Sequence, residues 1–493
     1  MHQVLIIGSG FGGLCAAIGL ERLGITDFRI LERRSFMGGT WAQNHYPGAA
    51  VDVQSPLYSL SFEPHAWTQM FAAQEELQSY TEHVIAKYGL RQKTELGAEV
   101  RRIEWDEVRS SWRVVTRDRG AFEARFVINA SGPLSTPVIP RFPGRDTFEG
   151  PSFHTGDWRH DIALKGKRVA IIGSGASAAQ VIPAIASEVG HLHVFQRTPH
   201  WVLPRPDHVF TPLERRLLAN RTAHRLLRTA IYCQLETRVL GFKYSKTLLN
   251  QFARKKALAH LRARVPDPEL RRKLTPDFTI GCKRIILSNT LYPALCRPNV
   301  SVHDRTQGIA EITQRGVRTA SGVELELDAI IYATGYDATD GVISYPVIGR
   351  GGQSIADFWR EFPRAYLGTT LPGFPNLFIV TGPNTGIGHA SALFIIESQM
   401  NYIMQSIRSA REQGALSVEV LPAAEAVYTT MVHREMQRTV WQSGGCQSWY
   451  KSKSGHVVAM FPGFSFTYRR LSQRFKREDH RFLMRAAGAT DAA

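Results

Sequence analysis

One stretch of this chain is written twice. Residues 3–32, QVLIIGSGFGGLCAAIGLERLGITDFRILE, and residues 167–197, KRVAIIGSGASAAQVIPAIASEVGHLHVFQR, align without a gap. Each begins with a short apolar run of buried-strand character, turns through small residues, continues as a helix and ends in a second strand. The small positions are Gly8, Gly10 and Gly13 in the first copy, and Gly173, Gly175 and Ala178 in the second. In such a unit the first residue makes a tight turn, the second lets backbone approach a pyrophosphate, and the third lets helix pack on strand. The helix N-terminus then faces the phosphates. Two such units in one chain predict an α/β fold with two dinucleotide-binding, Rossmann-like domains.

The copies differ at the position that chooses the ligand. Twenty-four residues beyond the first glycine stands Glu32 in one copy and Arg197 in the other. A carboxylate at the end of the second strand accepts hydrogen bonds from a ribose diol and repels a 2′-phosphate; an arginine does the reverse. The first loop is therefore expected to hold FAD and the second NADPH, with Thr198 beside Arg197 and with Lys165, Lys167 and Arg168 near enough to share the phosphate. VINASG (127–132) and IIYATG (330–335) are strand runs ending in small-residue turns, and they bracket the second copy. They predict an NADPH domain over 136–327 inserted in an FAD domain made of 1–135 and 328–493. A basic helical excursion is expected at about 205–275, with Tyr232, Phe242 and Tyr244 in its core.

Charge and cysteine narrow the function classes. The formal net charge is +17, and sixteen Lys/Arg against four Asp/Glu fall between Leu213 and Lys273. No nucleic-acid-binding module accompanies that stretch, so no nucleic-acid partner is expected. It reads as a solvated helical face, with a weak membrane-surface or anionic contact as the other reading. The apolar run at residues 4–8 is too short to span a bilayer and the N-terminus lacks signal-peptide features, which predicts a cytoplasmic protein. Cys15, Cys233, Cys282, Cys296 and Cys446 lie far apart with no CxxC pair, so neither a disulfide nor a metal site is expected.

NADPH and FAD together serve disulfide reduction, electron transfer to a partner, or reaction with oxygen. The spacing of the cysteines offers no redox pair, with Cys15 read as a packing residue. Oxygen chemistry needs a shielded site and a fixed positive charge to hold a flavin peroxide as its anion, a task suited to arginine.

The segment FEGPSFHTGDWR carries Phe148, Gly150, His154 and Trp158 at the spacing F-x-G-x-x-x-H-x-x-x-W. It resembles the fingerprint of the Baeyer-Villiger monooxygenases, class B flavoprotein monooxygenases related to the flavin-containing monooxygenases. Arg159 departs from the Pro or Asp that follows in that fingerprint. MGGTW (37–41) and YPGAAVD (46–52) are similar to the family's flavin-proximal loops, which implies cofactor contacts by Gly39, Thr40, Trp41 and Asp52. GCKRIILSN (281–289) resembles the segment bearing the family's catalytic arginine, which falls on Arg284 with Lys283 as its neighbour; ATGYD resembles the second linker, ending in Asp337. TGPNTGIGHAS (381–391) and GGCQSWY…FPG (444–463) resemble C-terminal flavin-domain segments. The resemblance implies insertion of one oxygen atom from O2 beside a ketone carbonyl through a C4a-peroxyflavin, giving an ester or lactone. Arg284 would stabilise the peroxide, Asp52 would orient Arg284, and His154 and Trp158 would couple domain movement to the two half-reactions. N- or S-oxygenation is the alternative chemistry, and a flavin- and NADPH-binding redox sensor without turnover the non-enzymatic one.

Overall fold

A computed structural model of the chain describes residues 1–339 and 343–484. The first glycine loop leaves the end of His2–Ile7, a central strand of an eight-stranded sheet. This strand runs parallel to Phe28–Glu32 on one side and to Ala121–Asn129 on the other. Thr94–Leu96 and Leu377–Ile379 extend the parallel part outward. Val100–Asp106, Ser111–Thr116 and the start of Ala121–Asn129 form an antiparallel meander, with Val347–Ile348 at its edge.

Val4 through Ile7 are buried on both faces, as a parallel strand covered on both sides requires. Side chains alternate along the strand. Val4 and Ile6 join the core under helix Phe11–Arg22, while Leu5 and Ile7 pack with Trp112 and Val127 on the other side. Helix Ala392–Glu412 lies across Phe11–Arg22, where Gly19 leaves room for the Met404 side chain.

The second glycine loop belongs to a five-stranded parallel sheet in the order Val300–His303, His191–Phe195, Arg168–Ile172, Ala329–Tyr332, Ser152–His154. This corrects the expected return at residue 328. Ala329–Tyr332 is buried along its whole length and pairs with Arg168–Ile172, so the strand of IIYATG completes the second sheet. The chain rejoins the first sheet at Val347–Ile348. The two crossings run side by side, with the Val138 N–H donating to the Gly335 carbonyl at 2.9 Å and the Asp337 N–H to the Thr136 carbonyl at 3.0 Å. Asp337 is placed at this paired crossing.

The excursion is helical, and its breaks are legible in its caps. Pro212–Leu218 starts in a capping box of Thr211 and Glu214, Arg221–Glu236 is capped by Asn220, and Pro268–Leu274 by Asp267 with proline in the first turn. Buried anchors bind it to the larger sheet's side. The Glu236 carboxylate pairs with His389 at 3.0 Å and accepts from the Ser465 N–H at 3.0 Å and hydroxyl at 2.6 Å. Arg228 donates to the carbonyls of Pro56, Leu57 and Ser59. Of the expected core aromatics, Tyr232 stacks on Phe394 and Phe242 is buried, but Tyr244 is exposed because it falls on the outward stripe of its helix.

Candidate active site

The two loops present their helices in the same way. Helices Phe11–Arg22 and Ala176–Ile185 begin at Gly10 and Gly175, and neither has a side-chain cap or an acidic residue in its first turn. Their first N–H groups and positive dipole ends are left for an anion, which fits the pyrophosphate of a dinucleotide. Gly8 has φ +99°, and a Cβ there would lie 2.6 Å from the Ala130 carbonyl oxygen. Gly39 packs on Gly10, where a Cβ on Gly39 would come within 2.6 Å of the Gly10 Cα. Gly10 thus seats the MGGTW loop against the first loop, and this close approach brings Thr40 and Trp41 beside it. Gly13 meets the Gly8 carbonyl, and Ala178 is fully buried in the second copy.

Glu32 is buried and organises the loop it follows. Its Oε2 accepts from the Ser9 N–H at 2.9 Å and hydroxyl at 2.7 Å, and its Oε1 accepts from the Arg34 N–H at 2.9 Å. In the second copy the Ser174 hydroxyl donates to the Thr198 carbonyl at 2.7 Å. Arg197 is exposed just past the end of its strand and makes no ion pair among the described residues. Lys283, 5.0 Å above the Phe278 ring, has its pKa lowered by burial and then by the Arg197 charge. Two cations in each other's field could hold a dianion between them. Lys165, Lys167 and Arg168 do not join it, contrary to expectation. Arg168 opens the strand whose far end carries Gly173, and it is engaged by Asp328 at 3.0 Å and Glu326 at 2.5 Å.

Asp52 and Arg284, 232 residues apart in sequence, meet in a two-pronged ion pair: Nε to Oδ2 at 2.8 Å and Nη2 to Oδ1 at 2.7 Å. The side chains are 28% and 35% exposed for Arg284 and Asp52, so the pair is cradled yet reachable. The Asp52 charge raises the Arg284 pKa still further, so the guanidinium stays charged. The loop carrying Asp52 is fixed to the second unit's first helix. Tyr46 donates to the Gln180 side chain at 2.9 Å, Gln180 returns a hydrogen bond to the Ala50 carbonyl at 2.8 Å, and Gly48 packs on the Gln180 backbone.

Two tyrosines and a second arginine surround this pair. Trp41 donates from its indole to the Tyr58 hydroxyl at 3.1 Å, and burial pushes the Tyr58 pKa up to about 12. Tyr450 is likewise pushed up to about 12 by burial, with Arg284 pulling the other way. Arg238, from the basic excursion, has its pKa lowered by burial and by Arg284, and raised by Asp52. Tyr450 lies in the quoted GGCQSWY segment; Tyr58, Gln180 and Arg238 gave no signal in spacing.

Of the fingerprint residues, His154 lies at the joint between the two units, while Phe148, Gly150 and Trp158 pack within the second. His154 is buried with its pKa lowered by burial; its Nδ1 accepts from the Gly156 N–H at 3.0 Å and its ring meets Tyr336 edge-on at 5.2 Å. Across the joint the Gln43 amide donates to the Gly156 carbonyl at 3.2 Å, and Tyr336 donates to Asn44 at 2.9 Å. Gly150 leaves room for the Phe148 ring and the Asp328 carbonyl. Trp158 is buried within the second unit, edge-on to Phe153 at 5.3 Å. Neither Trp158 nor His154 contacts the Asp52–Arg284 pair by hydrogen bond. Arg159 points outward and pairs with Asp161 at 2.6 Å, so the departure from the fingerprint falls on a surface position.

One expectation is overturned here. Cys282 and Cys446 are joined in a disulfide across a sequence separation of 164, with Cα atoms 6.1 Å apart. Wide spacing hid the pair because the last strands of the second unit and the return through the first sheet fold between the two cysteines. Cys15, Cys233 and Cys296 are free.

Comparison with known proteins places this geometry. Residues 5–232 match the family model described as pyridine nucleotide-disulphide oxidoreductase. The chain is 44% identical over 476 residues to a Baeyer-Villiger monooxygenase of Pseudomonas aeruginosa, covering 96% of this chain and 90% of the relative. An oxidised steroid monooxygenase bound to NADP superposes with a TM-score of 0.88 at 30% identity, covering 98% of this chain and 99% of that one. A crystal structure of OTEMO in complex with FAD and NADP gives 0.89 at 26% identity, with the same coverage.

Proposed function

The chain belongs to the Baeyer-Villiger monooxygenases, and from that premise we propose that Arg284, oriented by Asp52, is the fixed cation beside the flavin at which oxygen is delivered to a ketone. The enzyme is an FAD- and NADPH-dependent flavoprotein monooxygenase. When bound, FAD would supply acceptance of hydride from NADPH and activation of dioxygen, so that one oxygen atom is inserted beside a ketone carbonyl to give an ester or lactone. Gly8, Gly10, Gly13 and Glu32, with the loop of Gly39, Thr40 and Trp41, hold the FAD. Gly173, Gly175, Ala178, Arg197, Thr198 and Lys283 hold NADPH. Arg284 stabilises the negative charge that develops on oxygen, and the Asp52 carboxylate fixes the guanidinium plane through both prongs. His154, Trp158 and Asp337 serve the joint and the crossing that transmit movement between the two units.

The two-pronged Asp52–Arg284 pair carries this reading. It is tested by oxygen consumption with NADPH over a panel of cyclic, aryl and long-chain ketones and one sulfide, followed by product mass. The expected result is a ketone product heavier by one oxygen, with consumption matched to product. Oxidation of the sulfide and of none of the ketones would instead assign heteroatom oxygenation.

We place the enzyme in the cytoplasm with a weak contact to anionic membrane surfaces. No helix among the described residues is long and apolar enough to cross a membrane. The outward stripe Leu226, Ala230, Cys233, Thr237, Leu240 and Tyr244 recurs every three or four residues, so one face of the excursion is apolar. Leu226 is 67% exposed and Phe252 70%, and Tyr244 stacks on Phe464, which stacks on the exposed Phe466. Arg221, Arg225, Lys255 and Lys256 are exposed on the same excursion, and that charge selects an anionic partner. The protein should float with phosphatidylglycerol vesicles at low salt, but not with phosphatidylcholine, and Leu226→Glu with Phe252→Glu should abolish flotation. Equal flotation of that variant, or burial of the stripe in a dimer seen by light scattering, would refute the contact.

A further inference from the structure

The disulfide sits where the reaction is most sensitive to position. Cys282 precedes Arg284 by two residues, and Cys446 precedes by four the Tyr450 ring that lies in the Arg284 field. Cys282 is fully buried and Cys446 nearly so, among Trp201, Phe242, Phe278, Trp441 and Met460. The two loop segments are drawn close: the Thr279 N–H donates to the Gly444 carbonyl at 3.1 Å, and a Cβ on Gly444 would lie 2.7 Å from the Cys282 Cβ. The crosslink therefore ties the arginine's segment to the C-terminal flavin-side segment. Asp52 grips the guanidinium from a third segment. Removing one of these ties lets Arg284 drift, and about 1 Å of drift in a catalytic group costs on the order of a hundredfold in rate.

We propose that Cys282–Cys446 is a redox clasp that positions Arg284, and that the hydrogen peroxide released when oxygen transfer fails is the oxidant that closes it. This rests on the assignment of Arg284 above. Failure of oxygen transfer consumes NADPH, a proton and O2 and yields NADP⁺ and H2O2. One thiolate of the open pair attacks the peroxide; the O–O bond breaks, the sulfur becomes a sulfenic acid, and the leaving hydroxide takes up a proton to become water. The second thiolate then attacks that sulfur, forming the S–S bond and breaking the S–O bond, and the departing hydroxide takes up a proton to become the second water. Two thiols are oxidised by two electrons in total, and one peroxide is reduced to two waters. A small-molecule dithiol reaching the Cys446 side, the less buried of the two, supplies two electrons and two protons to reopen the clasp. An open clasp loosens Arg284 and raises the leak, and the leaked peroxide closes the clasp, so the device corrects itself.

The test needs no ketone, so it stands apart from the identity of the substrate. FAD-loaded enzyme is reduced with a phosphine, desalted without air, and its thiols are counted after denaturation with 5,5′-dithiobis(2-nitrobenzoate). Five thiols are expected when reduced and three when oxidised, since Cys15, Cys233 and Cys296 are free. With NADPH and O2, the reduced enzyme should release peroxide about tenfold faster than the oxidised one at equal FAD content and equal NADPH KM. Adding hydrogen peroxide should return wild type to three thiols and to the slow leak together. Cys282→Ser and Cys446→Ser should leak fast and gain nothing from peroxide, and the double Cys→Ala variant should match them. Equal leak rates in both thiol states, or variants that leak no faster than oxidised wild type, would overturn the clasp; so would five thiols that persist in peroxide.

Discussion

Arg284→Ala lowers ester formation by about a hundredfold to a thousandfold, the range seen when one preorganised donor to a developing oxyanion is removed. NADPH-driven flavin bleaching, followed by stopped-flow absorbance, stays near the wild-type rate, because the hydride step precedes any charge on oxygen. The two-pronged contact to Asp52 explains why lysine is a poor replacement. A point charge cannot fill both prongs, so Arg284→Lys should win back less than a factor of ten in rate, about 1.4 kcal/mol or less. Asp52→Ala leaves the arginine charged but free to turn, and should fall between wild type and Arg284→Ala. Ester formation by Arg284→Ala at an undiminished rate would remove the arginine from the mechanism.

That pair also marks how far the chain could be read. The glycine loops were legible because their requirement is local: a turn at positive φ, a close backbone contact and an uncapped helix start all lie within a dozen residues. Asp52 and Arg284 lie 232 residues apart, and no spacing joins them. They were found through the GCKR and YPGAAVD segments and their resemblance to a family. Cys282 and Cys446 had no such help, and the expectation of no disulfide failed for the same topological reason. Strand Ala329–Tyr332 was assigned to the wrong sheet because a fully buried strand carries no mark of which neighbours it pairs with. The basic stretch was legible as composition and opaque as chemistry. Arg228 is spent on backbone carbonyls, Arg238 lies within the field of Arg284, and Arg221 and Arg225 stay in solvent; sequence alone gives all four the same letter.

Charge placement yields the second large effect. Arg197 and Lys283 come from different elements, the first past the end of strand His191–Phe195 and the second from the arginine segment, yet each lies in the other's field. Without a dianion the two repel, and a 2′-phosphate turns that repulsion into two charge-assisted contacts. Each contact of that kind contributes about 1.5–3 kcal/mol. Arg197→Ala should therefore raise the KM for NADPH about tenfold to a hundredfold, with kcat at saturation nearly unchanged, since the phosphate is remote from the transferred hydride. NADH has no phosphate to lose, so its kcat/KM should move by less than about threefold. Lys283→Ala should show the same selectivity with a smaller size, because relief of its repulsion with Arg197 offsets part of the lost contact. An equal loss for both coenzymes would mean that Arg197 shapes the loop and does not read the phosphate. A loss confined to NADPH would show that Arg197, standing where the first copy of the repeat has Glu32, sets the coenzyme.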